Sequence, residues 1–273
     1  MMRAHSKVFK IAEINSTFYA YPSHGTVMGW TKYSPPEHVF CAKLPKRVTH
    51  DKKLNIEAGV EEDLQRYCDL IRPLSLNGKL GCLLIQLPPK YSFNLEHLES
   101  FFKILPKEIR FAVEFRNLSW INEETWPLLE KYDVAYCNVD EPLLPPELHI
   151  TTDFAYFRWH GHGKNPWFDY RYKKEELKPW IPKLKETSKK VKKIYGFFNN
   201  HFYCTGIGMS NDICQCFLKN TKNSRGLILR DINGMIRKME CRFDAGALLK
   251  LLGLPLNGRR QPEIVQYPRS QLG

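Results

Sequence analysis

The chain has 273 residues, 43% hydrophobic, 13% aromatic and 26% charged, which excludes disordered and collagen-like classes and suffices for one large core. Its net charge of +12 favours polyanionic partners, because neutralised phosphates release counterions. No run approaches the ~18 apolar residues of a membrane span, and the first ten residues hold no apolar run of signal-peptide length. The chain therefore reads as cytoplasmic, with no membrane partner.

Strand-like runs fall at Ile11–Ile14, Val39–Leu44, Leu80–Leu87, Phe111–Phe115, Val134–Val139, Ala155–Trp159 and Ile194–Phe198. Each is rich in β-branched or aromatic residues and ends in polar or turn residues. Helical spacing lies between them, as in Val60–Ile71, with Leu64, Tyr67, Cys68 and Ile71 on one face, and in Leu95–Ile104, with Leu98, Phe101 and Phe102. Strand followed by helix, repeated, implies a parallel sheet. Continuous apolar runs such as Cys82-Leu83-Leu84-Ile85 imply strands covered on both faces. A doubly wound open sheet would satisfy that pattern too, but no G-x-G-x-x-G or P-loop accompanies it. The expected fold is a TIM-barrel-like (β/α) barrel, one strand short of eight.

Residues 1–217 read as this barrel domain and 218–273 as an extension. In the extension, Gly226–Arg242 carries an Asn233-Gly234 hairpin signal, Ala245–Leu252 a short helix, and Leu256–Gly273 a frayed end. Between Lys173 and Lys193 nine lysines alternate with Trp180, Ile181, Leu184 and Val191, either a solvated helix face or a nucleic-acid patch. Cys41, Cys82 and Cys137 read as small buried hydrophobes. Cys204, Cys214, Cys216 and Cys241 match no zinc spacing and read as free thiols. No metal is expected and no cofactor is named.

Residues at the C-terminal ends of barrel strands converge on one mouth. Here those positions hold Glu13, Asn15, Lys43, Gln86, Glu114, Arg116, Asp140, Arg158, His160, Asn199, Asn200 and His201. Glu13 and Glu114 sit inside apolar runs, where an unpaired carboxylate costs several kcal/mol to bury; Lys43, Arg116 and Arg158 are the available partners. Two readings stay open, a ring of salt bridges closing the mouth or a ligand pocket whose groups tune one another's pKa values. His160 and His201 taken singly read as ordinary hydrogen-bonded histidines, and Trp120 and Trp126 as packing.

Five blocks occur in order, Glu13-Ile14-Asn15-Ser16-Thr17-Phe18-Tyr19, Gln86-Leu87-Pro88-Pro89, Val113-Glu114-Phe115-Arg116 with Trp120, Phe157-Arg158-Trp159-His160-Gly161, and Phe198-Asn199-Asn200-His201. With Lys43 to His50 as a sixth, they resemble the YecE-like family, domain of unknown function 72, over about Phe9 to Asn211. The resemblance implies a TIM-barrel-like fold with a polar pocket at the strand ends. It also implies that Tyr170 and Tyr172 are the family's tyrosine pair after its seventh strand, and that Asn211 is an asparagine of the closing helix. The family's usual first strand, Gly-Thr-Ser-Gly-Trp, is absent before Phe9, which accounts for the missing strand.

The functional expectation is an enzyme acting on a phosphate-bearing or nucleic-acid substrate, like the endonuclease-IV-like and sugar-isomerase-like barrels the family resembles. Lys43, Arg116 and Arg158 would hold anionic oxygens, Glu13 or Glu114 would be the general base and His160 its acid partner, with Asn15, Gln86, Asp140, Tyr170, Tyr172, Asn199, Asn200 and His201 binding ligand. A divalent metal on Glu114, Asp140 and His160 is a less favoured variant. The alternatives are a non-catalytic protein that binds an anionic small molecule or a nucleic acid, and an inactive barrel.

Overall fold

The computed structural model describes residues 10–164, 170 and 172–199, all within one compact unit of the chain. Asn200, His201, Asn211, the four later cysteines and the whole 218–273 extension lie outside the described residues.

Seven strands, β1 (Ile11–Ile14), β2 (Val39–Lys43), β3 (Leu80–Gln86), β4 (Phe111–Glu114), β5 (Val134–Asp140), β6 (Phe154–Trp159) and β7 (Lys193–Phe198), form one sheet in chain order. Every pairing is parallel. The sheet curls into a nearly closed barrel, as expected from the strand and helix alternation. Among the described residues, β1 and β7 are its two edges.

Helices run between the strands, and their apolar stripes cover the outer face. In α3 (Val60–Leu76) the buried residues Leu64, Tyr67, Cys68, Ile71 and Leu74 follow the helical period. In α4 (Leu95–Lys103) Leu98, Phe101 and Phe102 are buried, and the Asn94 side chain caps the helix by accepting from the His97 N–H at 3.0 Å. The remaining α-helices are α1 (Ser16–Tyr19), α2 (His24–Tyr33), α5 (Thr125–Lys131), α6 (Lys174–Leu177) and α7 (Trp180–Lys190). In α7 Trp180, Ile181 and Leu184 are buried, while Lys183, Lys189 and Lys190 are not. Trp120 is a core residue, stacked at 4.6 Å on Phe115 and donating its indole N–H to the Tyr91 carbonyl at 2.8 Å.

Period-two alternation sends two sets of side chains in opposite directions. Phe40, Ala42, Leu83, Ile85, Val113 and Tyr136 pack outward with the helices, whereas Cys41, Cys82, Leu84, Ala112, Ala135, Cys137, Tyr156 and Tyr195 form a separate interior cluster. β3 interrupts the alternation once. Phe40 pairs with Leu80 but Ala42 with Leu83, so β3 carries one extra residue there, a bulge of the kind that glycine accommodates. The residue is Gly81, and a Cβ on it would lie 2.8 Å from Val39 Cγ1, 3.0 Å from Cys41 Sγ and 3.2 Å from Tyr195 Cζ. The Tyr195 contact crosses the interior from β7, which shows how tightly the sheet is curled. Gly81→Ala is therefore expected to cost about 1–3 kcal/mol by overpacking, read from the urea midpoint; an unchanged midpoint would mean the interior has slack there.

Candidate functional site

Continuing the inward alternation past the interior cluster gives the residues of the mouth. They are Glu13 from β1, Lys43 from β2, Gln86 from β3, Glu114 from β4, Glu141 just after β5, Arg158 and His160 at the end of β6, and Asn199 just after β7. Arg116, two residues beyond β4, turns back into the same cluster.

Glu114 is the centre, with a fully buried side chain. Its Oε1 accepts from Gln86 Nε2 at 2.9 Å and from Arg116 Nε at 2.5 Å, and its Oε2 from Arg158 Nη1 at 2.5 Å. Arg158, equally buried, uses its other terminal nitrogen on Glu13 Oε1 at 2.7 Å, and the Tyr156 hydroxyl donates to Glu13 Oε2 at 2.6 Å. Both terminal nitrogens of Arg158 are thus spent inside the protein. Lys43 Nζ donates to Gln86 Oε1 and lies 4.1 Å from the centre of the Phe18 ring.

Asn199 Nδ2 lies 3.0 Å from His160 Nδ1, so with that nitrogen accepting, the neutral ring carries its proton on Nε2, 3.2 Å from Glu114 Oε1. The 3.3 Å approach of Arg116 Nη2 to the same Nε2 is then a close contact of two donors rather than a hydrogen bond. Arg116 Nη1 is 2.9 Å from Glu141 Oε2. That ion pair lacks hydrogen-bond alignment, and neither Glu141 oxygen has a hydrogen-bond partner among the described residues.

This arrangement moves several protonation equilibria. Burial works against ionised Glu114, but Arg116 and Arg158 outweigh it and hold the carboxyl well below the usual range. Burial lowers His160 to about 4, with Glu114 opposing and the two arginines adding to the fall. Lys43 is pushed down to about 8, by burial first and Arg158 second. Glu141 is pushed up to about 7 by burial, against Arg116 and with Glu114 adding to the rise.

Of the residues anticipated from sequence, Glu13, Lys43, Gln86, Glu114, Arg116, Arg158, His160 and Asn199 come together. Asp140 does not join them. It has the opposite strand parity, and its carboxylate lies 2.9 Å from His162 Nε2, while its backbone carbonyl accepts from the Tyr172 hydroxyl at 3.5 Å. Tyr170 packs edge-on against Tyr172 and donates to Glu176. Asn15 stands at the start of α1 and makes no side-chain cap bond. Sequence reasoning missed Glu141 and Tyr156. The alternation Ala135, Cys137, Val139, Glu141 was the signal that would have found the former.

Glu114, Glu141 and His160 offer ligand atoms within 4.8 Å of one another, and all three are buried. By residue type the set suits a divalent ion. Arg116 already lies on each of the three, however, and Arg158 on Glu114, so the local charge opposes a dication.

The fold and mouth define a class, a parallel α/β barrel with its polar residues gathered at the strand C-termini. The chain belongs to the family described as "Protein of unknown function DUF72", whose profile matches residues 1–223. It is 26% identical over 226 residues to the UPF0759 protein YunF of Bacillus subtilis (strain 168), covering 73% of this chain and 80% of that protein. With the UPF0759 protein YecE of Escherichia coli (strain K12) it shares 28% identity over 123 residues, 42% of this chain and 41% of that one. A solved DUF72 family protein from Thermotoga maritima MSB8 superposes with a TM-score of 0.66 at 34% identity, covering 77% of this chain and 84% of that one. One from Enterococcus faecalis V583 reaches 0.73 at 20% identity, over 81% and 94%, a likeness of fold. Among the described residues no helix is long and apolar enough to cross a membrane.

The depressed Glu114 carboxyl stabilises the fold above its ordinary value of 4.5, and that contribution is lost as pH falls below it. Neutral His160 acts in the same direction, because between 6.5 and about 4 the unfolded chain takes up a proton that the folded ring does not. Glu141, raised to about 7, works the other way over the same interval and offsets His160. His50, lowered to about 4 by burial, adds a second loss of the His160 kind, so stability should drop on acidification from about pH 6.5 downward. Glu114→Gln at pH 7 should cost about 3–5 kcal/mol, because it leaves buried guanidinium charge short of a partner. Urea titrations at pH 7, 5.5 and 4.5 measure both effects; a loss below about 1 kcal/mol would show that the network is solvated rather than buried.

Proposed function

We propose that the barrel mouth binds a small anionic substrate, a phosphate ester or another oxyanion of similar size, and acts on it by proton transfer. Lys43 and Arg116 face the anion, and Glu141 gives and takes the proton. Glu13 and Glu114 hold the arginines in place, Arg158 is the internal counter-charge, and His160 acts as a neutral hydrogen-bonding group supported by Asn199.

The observation that carries this reading is the pair of displaced groups in one buried cluster. A lysine lowered to about 8 and a carboxyl raised to about 7 both titrate near neutrality, the condition under which general acid and base catalysis is efficient. The charge balance supports an anion. Lys43, Arg116 and Arg158 are set against Glu13, Glu114 and a Glu141 that keeps its proton below about 7, and the hydrogen-bond acceptor of Lys43 is the Gln86 amide rather than a carboxylate. A nucleic-acid end would present the same phosphate chemistry, and the net charge of +12 would assist its approach. The second reading, anion binding without turnover, is favoured by the direct buried ion pair between Glu114 and Arg158.

The test is binding of inorganic phosphate and simple phosphate esters, read by thermal shift from pH 6 to 8.5. Affinity for the phosphate dianion, with the ligand's own second ionisation at about pH 6 allowed for, should fall as pH rises, because ionisation of Glu141 near 7 cancels positive charge and loss of the Lys43 proton near 8 removes more. Glu141→Gln should flatten the step near 7, and Lys43→Met should weaken binding at least tenfold, about 1.4 kcal/mol. Turnover of a bound ester, abolished by Glu141→Gln, separates an enzyme from a binder. No pH-dependent stabilisation by any of these anions would leave only the salt-bridge ring.

A further inference from the structure

We infer that Lys43 is a nucleophilic amine that condenses with a carbonyl group, which narrows the substrate to an aldehyde or ketone carrying an anionic group. This rests on the reading of the mouth as a reaction site and deepens it.

The geometry around Lys43 is that of a held, desolvated amine. Its backbone carbonyl accepts from two hydroxyls at once, Thr17 Oγ1 at 2.8 Å and Tyr67 Oη at 3.0 Å, so the end of β2 is clamped between α1 and α3. The side chain is nearly buried and runs against the Phe18 ring, which itself meets the His50 ring edge-on at 4.9 Å. The charged groups that act on the amine are the carboxylates of Glu114 and Glu13 and the guanidiniums of Arg158 and Arg116; His50 on the near side is held neutral by burial, at about 4.

An amine lowered by burial and by neighbouring cations is the activated form of a Schiff-base lysine. A lysine near 8 is about one-tenth neutral at pH 7, against less than about one-thousandth for an ordinary exposed lysine. A merely structural lysine in a buried mouth would be paired with a carboxylate, whereas this one bonds the Gln86 amide oxygen.

The step balances without oxidant or cofactor. The nitrogen lone pair forms a bond to the carbonyl carbon, the carbonyl π pair moves to oxygen and takes a proton, and the resulting carbinolamine expels that oxygen as water while nitrogen loses its protons and the C=N bond forms. With Arg116 on the anionic group, the carbonyl can lie over Lys43.

The experiment uses the full chain with substoichiometric pyridoxal 5′-phosphate at pH 7, a phosphate-bearing aldehyde, followed by borohydride reduction and peptide mass mapping. Lys43 should carry the reduced adduct at least tenfold more than any other lysine, and its labelling rate should rise with a midpoint near pH 8. Excess inorganic phosphate should suppress that label. Lys43→Met should lose it and Lys46→Met should keep it, with both variants checked for an unchanged far-UV spectrum. Label spread over the lysines with Lys43 no higher than the rest, or a Lys43 labelling midpoint above 10, overturns the inference. Because the adduct needs no turnover, phosphate binding without a Lys43 adduct would remove the imine chemistry and leave the anion-binding reading standing. An adduct without phosphate protection would keep the amine chemistry and remove the anion site.

Discussion

The structure depends on one buried carboxylate shared by two guanidiniums. An isolated charge at Glu114 would be intolerable at zero exposure, and it persists because Arg116 and Arg158 each take one of its oxygens while Gln86 and His160 contact Oε1. The same network performs a task that the hydrogen-bond ladder does not. β1 and β7 are the sheet edges among the described residues, yet Glu13 on β1 is bound to both Arg158 and Tyr156 on β6. Ion pairing therefore ties the first strand across the mouth to the far side of the sheet.

That pairing leaves an electrostatic remainder. Arg158 is consumed internally, so its charge acts on its neighbours as a field, and it is the largest influence after burial on Lys43. Glu141 receives only a misaligned contact from Arg116, and burial raises it until it titrates near neutral pH. A site built to be inert would pair every group. Here Glu114 has both oxygens bonded, whereas Lys43 meets only an amide oxygen and Glu141 has no aligned hydrogen bond among the described residues, and those two carry the proposed chemistry.

Below the mouth, shape complementarity explains the cysteines. β2 to β5 turn small side chains inward, Cys41, Cys82, Ala112, Ala135 and Cys137, and β6 and β7 oppose them with Phe154, Tyr156 and Tyr195. The thiols are free and buried, and burial pushes Cys82 and Cys137 up, away from the thiolate form. They fill space. The bulge at Gly81 belongs to the same accommodation, since it lets Tyr195 approach β3 across the interior.

The seven strands, their parallel order and the helices between them were legible in the sequence, because apolar runs and helical stripes are local patterns that burial reads directly. Most of the mouth was legible too, since polar residues ending apolar strands have one place to go in a barrel. The choice of Asp140 over Glu141 was a matter of parity at the end of β5, which the Ala135, Cys137, Val139 alternation contained. Tertiary structure alone decided which charges saturate one another. Glu13 and Arg158 stand 145 positions apart, and whether a buried group meets a partner, and so where it titrates, depends on distances that no local pattern encodes.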